Sequence, residues 1–317
     1  MFTKSKYPRL TFSLILVFLS QILGGQTYLP MCPDLDMAEY YDLYNYRIPY
    51  AAAAAVAGGP INGEISIPIQ IIYVNQDDGT PPATRNYRIS AELELANEAY
   101  NGFLNFYICG YKHINSSTYF NFVANTANKV ALQNLYHSET AVNVYITNTL
   151  FTPVGGPISG VASFPNFTSA KNFIALASNG VPPYTLAHEL GHFFGLSHTH
   201  DPNYYGSSSN CLLVNPILNG DQVADTPPDP GPNAVCNIAN QCPAALTACT
   251  LSCDYTTNVL IPTAPLTPGT FTFPAGYLTN NIMSYYLFCP VRTFTNGQIA
   301  LMSEILNDPL SNSSCDL

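Results

Sequence analysis

The chain has 317 residues, 47% of them hydrophobic and only 9% charged, against about 25% charged in an ordinary soluble domain, which excludes a disordered tail or a charge-laced coil. Its 20 acidic residues against 10 basic ones give a formal charge of -10. That is the wrong sign for neutralising phosphates, so nucleic acid is not an expected partner.

Lys4, Lys6 and Arg9 precede an apolar run from Leu10 to Leu23, which predicts a secretory signal peptide over residues 1–26. The run falls short of the roughly 20 residues that span a bilayer, so no membrane anchor is expected and the location should be extracellular. Nine cysteines suit an oxidising compartment, and their odd number leaves at least one thiol free or intermolecular. Residues 27–60 are tyrosine-rich and then alanine-rich from Ala51 to Ala57, closing on Gly58, Gly59 and Pro60. This segment reads either as a removable propeptide or as one short helix. The catalytic domain is placed at 61–317, with an upper subdomain at 61–198 and a lower one at 199–317.

Within that domain, Glu64 to Val74 alternates and is rich in β-branched residues, predicting a first strand. Ser90 to Tyr107 carries Leu93, Ala96, Tyr100, Phe103, Leu104 and Tyr107 at helical spacing, predicting a helix capped by Ser90. Strand-like runs follow at Tyr119–Val123, Ala141–Thr149, Ile158–Phe164 and Asn172–Ala177. Together these predict an α/β or α+β sheet domain. Pro182 and Pro183 open a second helix that runs to Leu196. Beyond Thr199 the texture turns to Pro, Asn, Gly and Cys until a closing helix at Thr295–Leu306.

The stretch "HELGHFFGLSH" from His188 to His198 carries the chemistry. Residues i and i+4 share one helix face, so His188 and His192 can present two imidazoles to one metal ion. Gly195 can adopt the positive φ that ends the helix and brings His198 round as third ligand. Three neutral imidazoles with an open fourth position describe catalytic rather than structural zinc. Glu189 follows the first ligand and is placed to take a proton from the water the metal activates.

These eleven residues resemble the extended motif of the metzincin zinc endopeptidases. Together with "GDQVADTPPDP" at Gly220–Pro230 and "NNIMSYYLFCPVRTFTNGQIALM" at Asn280–Met302, they are similar to the pappalysin family within that clan. The resemblance implies a twisted mixed five-stranded sheet with a backing helix and an active-site helix, above an irregular, disulfide-stapled lower subdomain. It implies that Met283 lies beneath the metal and that Tyr285 supports the reacting carbonyl. It also implies structural calcium, for which Asp221 and Asp225 are the candidates; turn chemistry in a proline-rich loop is the other reading of those two residues. Cys236 would pair with Cys289, and Cys211 with one of Cys242, Cys249 or Cys253. Cys32 is either a thiolate that blocks the metal or an ordinary bridge. Ile158–Phe164 takes the place of the clan's edge strand, which pairs with a polypeptide substrate by strand addition. The resemblance also implies that the segment after Met283, Ser284–Phe294, walls the pocket for the residue after the scissile bond; between Met283 and Cys289 it holds no acid, its nearest charge being Arg292, so that wall is expected to be apolar. The expected function is therefore that of a secreted zinc endopeptidase. A secreted zinc-containing binding module, or a hydrolase of a non-protein amide or ester, is the alternative.

Overall fold

A computed structural model describes residues 65–83, 86–100, 102–165, 173–178, 181–200, 221, 223, 225–226, 249–252, 270–273, 280–285 and 292–307. The signal segment 1–26, residues 27–60, and Cys32, Cys211, Cys236, Cys242, Cys253, Cys289 and Cys315 lie outside them, and with these the proposed disulfide scheme. Among the described residues no helix is long and apolar enough to cross a membrane.

Among the described residues the strands are β1 (Ile65–Asn75), β2 (Leu104–Asn115), β3 (Asn121–Val123), β4 (Val142–Thr147), β5 (Thr149–Phe151), β6 (Pro157–Ile158), β7 (Gly160–Ala162), β8 (Ile174–Ala177), β9 (Cys249–Ser252) and β10 (Thr270–Phe273). The helices are α1 (Asn86–Ala99), α2 (Ser117–Phe120), α3 (Thr126–Leu135), α4 (Thr185–Phe193) and α5 (Asn296–Asn307). Five strands form one mixed sheet in the order β2-β1-β4-β8-β7. All neighbours run parallel except β7, which is antiparallel to β8 at the edge. The expected five-stranded mixed sheet is thus present. The expected edge strand is there too, shortened to Gly160–Ala162, because Pro157–Ile158 turns away to pair with β5.

Alternation along β1 sends Ile67, Ile69, Ile71 and Tyr73 to one face and Ile72 and Val74 to the other, as the period of two requires. The first face packs against α1, α4 and the segment around Met283; the second against Phe122, Leu132, Tyr145 and Phe173.

Three expectations need correction. The helix predicted over Ser90–Tyr107 begins earlier and stops at Ala99, because Gly102 takes φ +78° and turns the chain into β2. Phe103, Leu104 and Tyr107 kept helical spacing by coincidence, and Ser90 lies inside the helix rather than at its cap. The strand predicted at Tyr119–Val123 is a helical turn followed by a three-residue strand. The helix α3 was not anticipated. Its signal is Asn125, whose side chain accepts from the Asn128 N–H at 2.8 Å as an N-cap. Cys109 is a free, exposed thiol, sitting where the β1–β2 register slips by one residue.

Candidate active site

Every residue of α4 is buried. The i, i+4 spacing puts His188 and His192 on one face with ring centroids 4.8 Å apart. Gly195, at φ +92°, ends the helix: its N–H donates to the His192 carbonyl at 2.8 Å, and Leu196 N–H to the Gly191 carbonyl at 2.8 Å. Any side chain here would be strained in φ and would strike Ile305. The chain then doubles back, and His198 lies stacked on His188, ring centroids 5.2 Å apart.

The three Nε2 atoms converge. His192 Nε2 is 3.2 Å from that of His188 and 3.0 Å from that of His198. Ligands about 2.0–2.1 Å from a tetrahedral zinc stand roughly 3.3 Å from one another, so the donor set fits that ion. The tautomers are fixed from behind: His188 Nδ1 donates to the Ile282 carbonyl at 2.8 Å, and His192 Nδ1 to the Leu196 carbonyl at 2.6 Å. Each ring thereby turns a lone pair inward. Burial, and then the neighbouring His192 and His198, hold the proton affinity of His188 well below the usual range, which keeps it neutral as a ligand must be.

Glu189 is fully buried, and neither carboxylate oxygen has a hydrogen-bond partner among the described residues. Burial drives its pKa well above the usual carboxylate range, with Lys129 opposing. Its carboxylate lies against Gly160 of β7, where a Cβ would collide with it. That glycine, in an edge strand, is what leaves room for the acid.

Beneath the helix, Met283 is fully buried and its sulfur lies against Gly191. The turn around it is tied down from several sides. Met283 N–H donates to Asn281 Oδ1 at 2.8 Å, and Thr199 N–H to the Met283 carbonyl at 3.2 Å. Arg292, itself buried, reaches the carbonyls of Asn281 (2.6 Å), Ile282 (3.0 Å) and Ser284 with one guanidinium nitrogen. Sequence reasoning treated Arg292 as the charge nearest a specificity pocket; it is instead a clamp on the backbone of this turn. The Tyr285 hydroxyl lies 3.1 Å from His198 Nε2. His200 stacks on His198 at 4.8 Å and meets Tyr285 edge-on at 4.6 Å.

The structure therefore brings His188, His192, His198, Glu189, Met283, Gly195 and Tyr285 together. It places the two candidate calcium ligands elsewhere. Asp225 accepts from Thr295 Oγ1 and Gly297 N–H, both at 2.8 Å, at the start of α5. Asp221 accepts from Val223 N–H at 3.1 Å and Gln298 Nε2 at 2.6 Å. Both carboxylates hold protein donors, and the cluster of potential metal ligands among the described residues is the three histidines. Sequence reasoning missed Gly160, and it missed Glu92, whose carboxylate accepts from Leu186 N–H on the zinc-ligand helix at 3.1 Å. Both act across long sequence separations.

The family model Peptidase_M43, described as pregnancy-associated plasma protein-A, matches residues 125–307. No curated protein sequence matches the chain. Among solved structures, metalloproteinase-II from Bacteroides fragilis is matched at 16% identity with a TM-score of 0.30, over 55% of this chain and 56% of that one. The chain thus spans little more than half the length of that structure.

Proposed function

The chain belongs to the peptidase family described as pregnancy-associated plasma protein-A, a pappalysin family of metzincin-like enzymes, and from that premise we propose that it is a secreted zinc-dependent endopeptidase. One observation carries the reading: three Nε2 atoms converge at a helix that also carries a buried carboxylate with no hydrogen-bond donor among the described residues. An unpartnered buried acid is costly to the fold, and such a group beside a metal-ligand triad is the signature of a proton acceptor.

His188, His192 and His198 would hold the metal. When bound, zinc supplies Lewis acidity, polarising the scissile carbonyl and making water acidic enough to lose a proton near neutral pH. Glu189 takes that proton on a carboxylate oxygen and returns it to the departing amine. Tyr285 donates its hydroxyl hydrogen bond to the carbonyl oxygen as negative charge develops there. The edge strand Gly160–Ala162 offers backbone groups to an extended peptide and sets the scissile bond against Glu189. Secretion is supported by the basic, then apolar, N-terminus and the nine cysteines.

The test is digestion of a peptide library by the purified chain, with and without a zinc chelator, with the new termini sequenced. Chelator-sensitive cleavage at internal bonds supports the proposal; intact peptides, or cleavage indifferent to the chelator, refute it. Terminal sequencing of exported material tests secretion: a start just after residue 26 is expected, and retention inside the cell counts against it.

A further inference from the structure

Helix α4 enters the site without a cap of its own. Its N-cap residue, Tyr184, sits at φ 66° and makes no side-chain cap hydrogen bond, and its first turn holds no acid. The exposed N–H groups of such a terminus need acceptors. They find one in another element. Glu92, in the middle of α1 and almost wholly buried, accepts from Leu186 N–H at 3.1 Å and also from the Thr185 backbone. The same helix and its end also hold α4 and the segment that leads into it. Arg88 donates to the Val181 carbonyl at 2.7 Å, Tyr100 OH to the Ala187 carbonyl at 3.2 Å, and Tyr184 OH reaches Glu98 at 3.5 Å. Ala187 immediately precedes the first zinc ligand.

We propose that Glu92 is a positioning residue: its ionised carboxylate caps the zinc helix from the backing helix and holds the turn that carries His188 and Glu189. This rests on the peptidase reading given above. A carboxylate accepts an N–H far more strongly than a carboxylic acid or an amide does, so the cap weakens when Glu92 takes a proton. The charge bearing on Glu92 is that of Arg88, one turn back on its own helix; from α4 it faces the peptide groups of Thr185 and Leu186. Burial pushes its pKa up to about 7, against the pull of Leu186 N–H, Arg88 and Thr185. Because the folded value lies above the unfolded one, the protonated form favours folding at low pH. That contribution is lost as pH rises through about 7, so the cap costs stability in the range where it works.

Two variants test this, Glu92→Gln, which keeps the shape and a neutral acceptor, and Glu92→Ala, which keeps neither. Zinc affinity by chelator competition, kcat and KM are measured from pH 5.5 to 8.5, and thermal unfolding over the same range. At pH 8, Glu92→Ala is expected to lose about 10- to 100-fold in kcat or zinc affinity, as other residues supporting metal ligands do. Glu92→Gln should lose less, with KM unchanged, and should converge on the wild type below pH 6. Its unfolding midpoint should exceed the wild-type value at pH 8 and approach it at pH 5.5. Wild-type kcat and zinc affinity in Glu92→Gln at every pH, or unfolding profiles that run parallel from pH 5.5 to 8.5, overturn the proposal. The unfolding arm needs no substrate, so it judges Glu92 even where absence of chelator-sensitive hydrolysis in the wild type has refuted the peptidase reading.

Discussion

The two faces of the central sheet bury polar groups in opposite ways. On the face that carries α3, the polar side chains of β4 are satisfied: Asn143 donates to the Ser138 and Ala141 carbonyls and accepts from Ser138 N–H, and Tyr145 OH donates to the Tyr136 carbonyl at 2.7 Å. Around them Phe122, Tyr145 and Phe173 pack ring against ring, Tyr145 and Phe173 at 4.9 Å. On the face that carries α4, three imidazoles crowd together, and the same helix buries a carboxylate with no hydrogen-bond donor among the described residues. The contrast teaches where each property resides. One face stabilises the fold, and the other holds groups that destabilise it, as expected where chemistry is done.

Removing the least satisfied group should separate the two most sharply. Glu189→Ala should cut kcat by about 10²- to 10⁴-fold, the usual worth of a general base, while zinc content holds and the unfolding midpoint rises. A midpoint that falls instead breaks the comparison. The mirror experiment is Phe173→Ala, expected to cost about 3–5 kcal/mol in denaturant unfolding, with the zinc affinity of the folded protein unchanged. Next comes Gly160→Ala, whose new Cβ must displace the Glu189 carboxylate. A shift of about 1 Å in a catalytic group costs on the order of 10²-fold, so kcat should fall by that much with little change in stability. The smallest effect is expected at Asp225→Ala, which removes the acceptor for Thr295 and Gly297 at the start of α5. About 1 kcal/mol should be lost, the worth of a helix cap, with kinetics unaltered.

What the sequence made legible is what is local. The ligand spacing, the positive φ of Gly195 and the strand alternation in β1 are set within a dozen residues, and all stand in the structure. The overrun of α1 into β2 shows the limit of the same logic, since periodicity continued past a turn that Gly102 imposes. The unread parts are long-range. Glu92 meets Leu186 across 94 residues, Gly160 meets Glu189 only once β7 has taken the sheet edge, and Arg292 finds three carbonyls of a turn that no spacing specifies. The partners of Asp221 and Asp225 went unread for the same reason. An acid in a turn looks alike whether its partner is an ion or an N–H group from a distant helix.

The brevity of β7 has a further effect. At three residues and about 3.3 Å of rise each, the edge that β7 forms among the described strands is roughly 10 Å long. So short a border gives two copies of the chain little to zip along, which guards against sheet-to-sheet aggregation. Under the proposed strand addition, the same shortness would limit what a peptide must surrender on binding. Only about three of its residues need to be drawn out straight, so an exposed loop of an otherwise folded protein could be gripped without unravelling the rest.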